Sequence, residues 1–197
     1  MCGITAISAN KEALPFLLQG LEKLEYRGYD SAGITTIEGN HLFTKKAKGR
    51  LQNLKDLLKD ENVLGHVGIG HTRWATHGIP SNLNSHPHTN NDETISLVHN
   101  GIIENYDELK KELTKKGYVF KSGTDTEVAA AVIDDVYNKE KDMIKVLNKI
   151  THILKGSYAF NIINDDYKDI IFGIRKDSPL IVGIGENENV LASDIPA

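Results

Sequence analysis

The sequence predicts an α+β fold in which helices pack on antiparallel β-sheet. Segments with apolar residues at helical spacing alternate with segments rich in Val, Ile, Thr, Tyr and Phe, which favour strands. The last four strand candidates, between about residues 157 and 192, are joined by short turns such as 164–166 and 185–187. Strands joined so tightly pair antiparallel, because parallel neighbours need a crossover of about a dozen residues or more. A doubly wound parallel sheet is therefore not predicted.

Five helices are predicted from the apolar spacing and from residues that begin or end helices. Asn105, followed three residues later by Glu108, has the pattern of a capping box, and Gly117 ends that helix. Thr124 and Glu127 repeat the pattern at the start of the next helix. The predicted helices cover about residues 11–24, 51–58, 105–116, 124–136 and 144–154.

The strand candidates lie between these helices and are bounded by Gly, Asn and Asp. An irregular stretch from Gly70 to Thr94 contains the only Trp and four of the eight His, and almost no periodicity. A loop this long inside a compact domain is uncommon unless it is functional. The strand candidates cover about residues 3–8, 32–37, 42–47, 66–71, 94–99, 157–164, 169–174, 179–184 and 189–192.

The composition is that of one globular domain in a reducing compartment. The chain has 197 residues, 40% of them hydrophobic, and a formal net charge of −4. It therefore has no global basic field for nucleic acid or an anionic membrane, and no apolar run approaches the roughly 20 residues of a membrane-spanning helix. With one cysteine and no signal-peptide pattern, a cytoplasmic protein without an internal disulfide is expected.

The single cysteine, Cys2, is a candidate nucleophile because of its place in the chain. If Met1 is removed, Cys2 carries both a thiol and a free α-amino group. The amine, with a reference pKa of about 8, can accept the thiol proton. The alternative is that a single cysteine is a buried small hydrophobic residue. Chemistry at Cys2 therefore requires supporting groups elsewhere in the sequence.

Three segments offer such groups. Asn100 and Gly101 end the apolar strand 95–98, where a side-chain amide and a backbone N–H can stabilise an oxyanion, although Asn-Gly is also a common turn. Arg73, in the irregular stretch, offers a fork for a carboxylate, although such a residue is commonly just solvated. Asp125 can either face an ammonium group or cap the helix that starts there.

The histidines suggest a metal site as an alternative, since five of them lie between residues 71 and 99. The sequence has no HExxH motif, and no two of these histidines have i, i+4 spacing, so hydrogen-bonded packing is favoured over a catalytic metal. Glycines at 65, 68 and 70 resemble half of a phosphate-binding loop, but no helix opens after them. No metal and no cofactor is predicted.

Six segments resemble class II glutamine amidotransferases, which are N-terminal nucleophile hydrolases, and the resemblance runs in one order from residue 2 to about residue 194. The resemblance is closer to the branch that aminates fructose 6-phosphate than to amidophosphoribosyltransferases. The latter are expected to have Arg-Gly-Gln-Asp at 27–30 and Tyr-Pro-Thr at 74–76. The matching segments are CGI (2–4), EYRGYDSAG (25–33), HTRWATHG (71–78), NSHPH (84–88), HNGIIEN (99–105) and TDTE (124–127).

This resemblance implies a four-layer αββα sandwich with a glutaminase site. Cys2 is expected to attack the side-chain amide of L-glutamine, with its own α-amine as base. Asn100 and the Gly101 N–H are expected to form the oxyanion hole. Arg73 is expected to bind the α-carboxylate of the substrate, and Asp125 its α-ammonium group.

The resemblance also implies further pocket residues and further domains. Trp74 is expected to gate ammonia, Arg27 to lie beside the nucleophile and His86 to lie near the loop that closes. Family members continue with more strands and with sugar isomerase domains, so residues 1–197 are expected to be a glutaminase domain cut short of its last strands, or a stand-alone glutaminase. The full-length enzyme is expected to be a homodimer. The alternatives are a paralogue that aminates a different keto sugar, or a non-catalytic glutamine-binding module. The expected pocket residues are Arg27, Trp74, Thr76, His77 and His86.

Overall fold

Two antiparallel sheets face each other in the computed structural model of the chain, which describes residues 2–74 and 79–197. The strands are β1 (Gly3–Ala9), β2 (Ser31–Glu38), β3 (His41–Lys48), β4 (Val67–Arg73), β5 (His88–Thr89), β6 (Ile95–Ile103), β7 (Gly156–Asn164), β8 (Phe172–Lys176), β9 (Ile181–Ile184) and β10 (Glu188–Ala192). The helices are α1 (Ala13–Leu24), α2 (Leu51–Leu58), α3 (Tyr106–Lys115), α4 (Asp125–Glu140) and α5 (Met143–Ile153).

The elements form four layers. One sheet has the strand order β3-β2-β4-β1-β10-β9, and α1 and α2 cover its outer face. The other has the order β5-β6-β7-β8, and α4, with α3 and α5 beside it, covers its outer face. Apolar side chains from both inner faces fill the space between the sheets, among them Ile4, Ile69, Val98 and Ile163. The predicted αββα sandwich is confirmed.

The last four strands do not form one meander, so that prediction is wrong. β7 pairs with β8 and β9 pairs with β10, both antiparallel, but β8 and β9 lie in different sheets. The short connection crosses between the sheets after Asp177, which has a positive φ of 63°. A tight connection excludes parallel neighbours, but it does not exclude a step to a facing sheet. As a result β10 pairs with β1, the strand that follows Cys2.

Of the two residues predicted to cap a helix, Thr124 does so and Asn105 does not. Thr124 caps α4, with its hydroxyl oxygen accepting from the Glu127 N–H at 3.3 Å. Asn105 precedes α3 but makes no side-chain cap. Its amide instead binds the Ile153 carbonyl oxygen at 3.0 Å and the Lys155 N–H at 2.9 Å, because these backbone groups lie at the end of the neighbouring α5. The helix that carries Asp125 therefore begins directly after Thr124, as predicted.

Strand β6 continues past its predicted end. Its pairing with β7 includes Asn100 opposite Ala159 and Gly101 opposite Tyr158, and it runs to Ile103. The Asn-Gly pair is therefore not a turn, and the prediction that it ends a strand is wrong. A neighbouring strand provides backbone partners here, and this long-range pairing overrides the local turn preference of Asn-Gly.

Candidate active site

A cavity of about 280 Å³ lies where the two sheets meet the first turn of α4. Cys2 lies just before β1, and the pairing of Gly3 with Thr72 places it beside Arg73 at the end of β4. This volume is close to the lower end of ligand pockets, about 300 Å³, which suits a small molecule. Eight of the predicted site residues line it: Cys2, Arg27, Arg73, Trp74, His86, Asn100, Gly101 and Asp125.

The Cys2 thiol lies against the backbone of Trp74. The Trp74 N–H donates to Cys2 Sγ over 3.2 Å, and the thiol lies 3.4 Å from the Trp74 carbonyl oxygen. Burial raises the pKa of the Cys2 thiol, while the Trp74 N–H and the charge of Arg73 act in the opposite direction. Because burial disfavours the thiolate, this thiol needs a nearby base to take its proton.

Gly28 fixes the backbone that contacts the thiol. A Cβ added at Gly28 would lie 2.6 Å from the Arg73 carbonyl carbon and 2.8 Å from the Trp74 nitrogen. No side chain fits at that distance, so glycine permits the close approach of this segment to the Arg73–Trp74 peptide. Gly28 is not among the predicted site residues, because its contact partner is distant in the sequence.

The Asn100 amide is held between two neighbours from the other sheet. Its Nδ2 donates to the Cys2 carbonyl oxygen at 3.0 Å, and its Oδ1 lies 3.1 Å from Nε2 of His71. Next to it, Gly101 has a φ of +129°, and an added Cβ would lie 2.1 Å from the Ser157 carbonyl oxygen. The fold therefore places the Asn100 amide N–H group beside Cys2 and requires glycine at position 101.

Arg73 and Asp125 provide opposite charges in the same cavity, and both side chains are almost fully buried. Burial lowers the pKa of Arg73, while Cys2, Asp30 and Asp125 act in the opposite direction. Oδ2 of Asp125 accepts from the Ile103 N–H at 2.8 Å. Since Thr124 caps α4, the alternative that Asp125 is the capping residue is wrong.

Arg27 lines the cavity and contacts a residue near the end of the chain. Its guanidinium forms an ion pair with Asp194, to which the Tyr26 hydroxyl also donates at 2.6 Å. The Tyr26 hydrogen bond, together with Arg27, holds the pKa of Asp194 below its usual range. Asp194 was not predicted, since nothing local in the sequence connects it to Arg27.

His86 lies in a group of buried rings. It stacks on His71 with ring centroids 4.2 Å apart, and its Nδ1 accepts from the His99 N–H at 3.3 Å. Burial lowers the pKa of His71 to about 3, and lowers those of His86 and His88 well below the usual range, so all three are neutral near pH 7. In the described part of the chain, no group of three or more His, Cys, Asp or Glu side chains could hold a metal ion.

Trp74 is 46% exposed, and its indole packs edge-on against Tyr29 with ring centroids 5.4 Å apart. Thr76 and His77 lie outside the described residues. Other lining residues were not predicted. They include Ser157, Ser178 and Pro179, which reach the cavity from β7 and from the connection between the sheets. Their sequence context carries no signal, because only the tertiary fold brings them to Cys2.

Comparison with known proteins agrees with this geometry. A family model described as a glutamine amidotransferase domain matches residues 71–197. Glutamine–fructose-6-phosphate aminotransferase (isomerizing) of Clostridium perfringens is 53% identical over 197 residues, and that of Clostridium tetani is 54% identical. These alignments cover all of this chain and 32% of each relative, so the chain spans about a third of their length.

The solved structures share the fold. Glutamine phosphoribosylpyrophosphate amidotransferase from B. subtilis is 29% identical, with a TM-score of 0.82 over 98% of this chain and 42% of that one. A glutamine aminotransferase class-II domain protein from Silicibacter pomeroyi, 12% identical with a TM-score of 0.60, supports the fold alone. No helix among the described residues is long and apolar enough to cross a membrane. On the match over residues 71–197, this chain belongs to the glutamine amidotransferase domain family.

Proposed function

We propose that this domain hydrolyses L-glutamine to glutamate and ammonia through a thioester on Cys2. The observation that carries the proposal is the position of the Cys2 thiol in one cavity with an amide donor, Asn100, and with two buried opposite charges, Arg73 and Asp125. A nucleophile, an oxyanion donor and a recognition pair for an α-amino acid are the parts that amide hydrolysis requires.

The opposite charges of Arg73 and Asp125 determine how the substrate binds. L-Glutamine is a zwitterion at its α-carbon, so a fixed cation and a fixed anion can bind its carboxylate and ammonium groups. Arg73 takes the carboxylate, because a guanidinium offers two parallel N–H donors. Asp125 takes the ammonium group, since one of its oxygens is already oriented by the Ile103 N–H. Both groups are buried, which strengthens their interaction with a ligand that excludes water.

The reaction then proceeds in two stages. The Cys2 α-amine, free once Met1 is removed, takes the thiol proton, and Sγ bonds to the side-chain amide carbon of glutamine. Asn100 and the Gly101 N–H stabilise the resulting oxyanion. The C–N bond breaks as the ammonium group of Cys2 gives its proton to the departing ammonia, which leaves a thioester. Water, deprotonated by the same amine, then adds to the thioester carbon; the C–S bond breaks, glutamate leaves, and Sγ takes the proton back from the amine.

The Cys2 environment supports this use of the amine. Burial raises the pKa of the thiol, so little thiolate exists near pH 7 without a base. Trp74, half-exposed beside the thiol, is the residue we assign to gating ammonia. Arg27 lies beside the nucleophile in the same cavity. We assign Thr76 and His77 to the pocket from the sequence motif alone.

For the whole protein, we propose a cytoplasmic enzyme that uses the ammonia to convert fructose 6-phosphate to glucosamine 6-phosphate. Support comes from the relatives named as glutamine–fructose-6-phosphate aminotransferases, of which this chain matches about a third. Residues 1–197 are then the glutaminase domain without its last strands, and sugar isomerase domains and a homodimer complete the enzyme. A paralogue that aminates another keto sugar has the same glutaminase residues.

The test is glutamate release from glutamine by the Met1-free chain. Turnover is expected, and Cys2→Ala is expected to abolish it with little change in the melting temperature, because among the described residues the thiol's hydrogen bonds are to the Trp74 backbone. Mass spectrometry of the acid-quenched reaction should show a glutamyl adduct on the wild-type chain only. A chain that retains Met1 should be inactive, since its Cys2 nitrogen is an amide.

Three outcomes contradict the proposal. Turnover by Cys2→Ala excludes the thioester, and full activity of a chain whose intact mass includes Met1 excludes the amine as base. Glutamine binding without glutamate release by the Met1-free chain favours a binding module instead. Activity assays of a full-length chain with fructose 6-phosphate and with other keto sugars then decide the acceptor.

A further inference from the structure

We propose that His71 is a positioning residue that orients the Asn100 carboxamide, by donating a hydrogen bond from Nε2 to Asn100 Oδ1. The inference rests on the proposed function, in which Asn100 stabilises the oxyanion. His71 lies on β4 and is fully buried, with its ring stacked on His86. It does not line the cavity, so it acts on the reaction through Asn100 and not through the substrate.

The atoms around His71 Nε2 show that this nitrogen is the hydrogen-bond donor in the contact with Asn100. Nε2 of His71 lies 3.0 Å from the His99 carbonyl oxygen and 3.1 Å from Asn100 Oδ1. A backbone carbonyl oxygen only accepts hydrogen bonds, so Nε2 must carry a proton. That proton is shared between the two oxygens. His71 is therefore the Nε2–H tautomer.

The neutral form of His71 agrees with this assignment. Burial lowers the pKa of His71 to about 3, so one ring nitrogen carries no proton near pH 7. Within residues 2–74 and 79–197, Nδ1 of His71 is buried and has no hydrogen-bond partner. A bare Nδ1 fits that environment, whereas the other tautomer would bury an unsatisfied N–H and would place a bare Nε2 against two oxygens.

The tautomer fixes the Asn100 amide. With Oδ1 towards His71, Nδ2 faces Cys2 and donates to its carbonyl oxygen at 3.0 Å. In the reversed orientation, the NH₂ group would face the His71 N–H and the oxygen would face the Cys2 carbonyl. Both contacts would be repulsive, so His71 and Cys2 select the same orientation. The second Nδ2 proton then remains available for the oxyanion.

This arrangement predicts that removing the His71 donor weakens stabilisation of the transition state and leaves substrate binding nearly unchanged. Without the His71 donor, only the Cys2 carbonyl oxygen orients the amide, and reversed conformers place an oxygen where the oxyanion forms. We expect His71→Leu to lower kcat about 3- to 10-fold, the effect of one neutral hydrogen bond, with little change in KM for glutamine.

A conservative variant separates this role from packing. The amide nitrogen of Gln replaces Nε2 of His, so His71→Gln is expected to restore kcat to within about threefold of wild type. In an Asn100→Ala background, His71→Leu should have no further effect on kcat, because the amide it orients is gone. A purely structural role predicts equal kcat for Leu and Gln at equal stability, and additive losses in the double variant. Either of those results overturns the inference.

NMR distinguishes a failure of this inference from a failure of the proposed function. In ¹⁵N spectra of the wild-type chain, His71 should show a protonated Nε2 and an unprotonated Nδ1 near pH 7. The Asn100 side-chain amide signals should shift in His71→Leu and return towards wild type in His71→Gln. If the wild-type chain does not hydrolyse glutamine, the proposed function falls and these spectra alone decide the inference. An Nδ1–H tautomer or unchanged Asn100 signals would overturn it.

Discussion

The two sides of the cavity are built from different kinds of contact. On the nucleophile side, Cys2 touches the Trp74 peptide, whose position depends on the backbone approach of Gly28. On the oxyanion side, the Asn100 amide depends on hydrogen bonds to His71 and to the Cys2 carbonyl oxygen. The position of the Trp74 peptide depends on close backbone packing, whereas the Asn100 amide is oriented by hydrogen bonds to a side-chain donor and a backbone acceptor. The two sides should therefore respond differently to substitution.

The largest effect should come from the oxyanion side. Asn100→Ala removes one oxyanion donor and is expected to lower kcat about 10²- to 10³-fold with KM nearly unchanged, because that bond forms only in the transition state. Steady-state glutaminase kinetics measure both constants. Asn105→Ala is the matched control, since its amide also makes two hydrogen bonds, here both to backbone groups, but lies outside the cavity. Equal losses of kcat in both variants would contradict the assignment of Asn100.

A smaller effect is expected on the nucleophile side. Gly28→Ala places a Cβ 2.6 Å from the Arg73 carbonyl carbon, so the Trp74 peptide must move away from the thiol. Such a misplacement should lower kcat about 10- to 100-fold, and overpacking should lower the free energy of unfolding by about 1–3 kcal/mol. Rates of Cys2 alkylation should change too, because the Trp74 N–H contacts Sγ.

The control for Gly28→Ala is Gly39→Ala. Gly39 has a positive φ of 61°, and an added Cβ meets no atom within 4 Å. This variant should lose about 1–2 kcal/mol of stability from backbone strain with no change in kcat. If Gly28→Ala retains wild-type kcat, then backbone contact does not position the nucleophile, and the contrast between the two sides fails.

A pH dependence of stability is also expected on the oxyanion side. The folded-state pKa of His71 is about 3, and those of His86 and His88 are also lowered by burial. In the unfolded chain these histidines titrate at about 6.5, so below that pH the unfolded state binds more protons and the free energy of unfolding falls. Each histidine contributes up to about 1.4 kcal/mol per pH unit.

Urea unfolding measured between about pH 7 and pH 5 checks the direction in which the free energy of unfolding changes with pH, and whether the buried histidines cause the change. Stability should decrease as the pH is lowered, and His71→Gln should decrease less steeply because one buried histidine is removed. Stability that is constant over this range would show that the histidines are not buried in their neutral form.

The site residues differ in how far the sequence could identify them. Cys2, Arg73 and Asn100 were predicted, because their chemical types and the motifs around them are local features. Gly28, Asp194 and Ser178 were not, because the fold alone brings each of them to residues that are distant in the sequence. His71 was noted only as one of several histidines. Its role appears when β4 and β6 bring its ring to Asn100.

The sequence by itself indicated helices packed on antiparallel sheet, the positions of most helices and strands, and the resemblance to the family, which in turn implied the αββα class. These follow from periodicity and from short motifs, which depend on neighbouring residues. Only the tertiary structure decided that β6 runs through Gly101, that β8 and β9 lie in different sheets, and that Asn105 binds the backbone at the end of α5 instead of capping α3. Each of these depends on strands or backbone groups that lie far away in the sequence, and local sequence does not encode them.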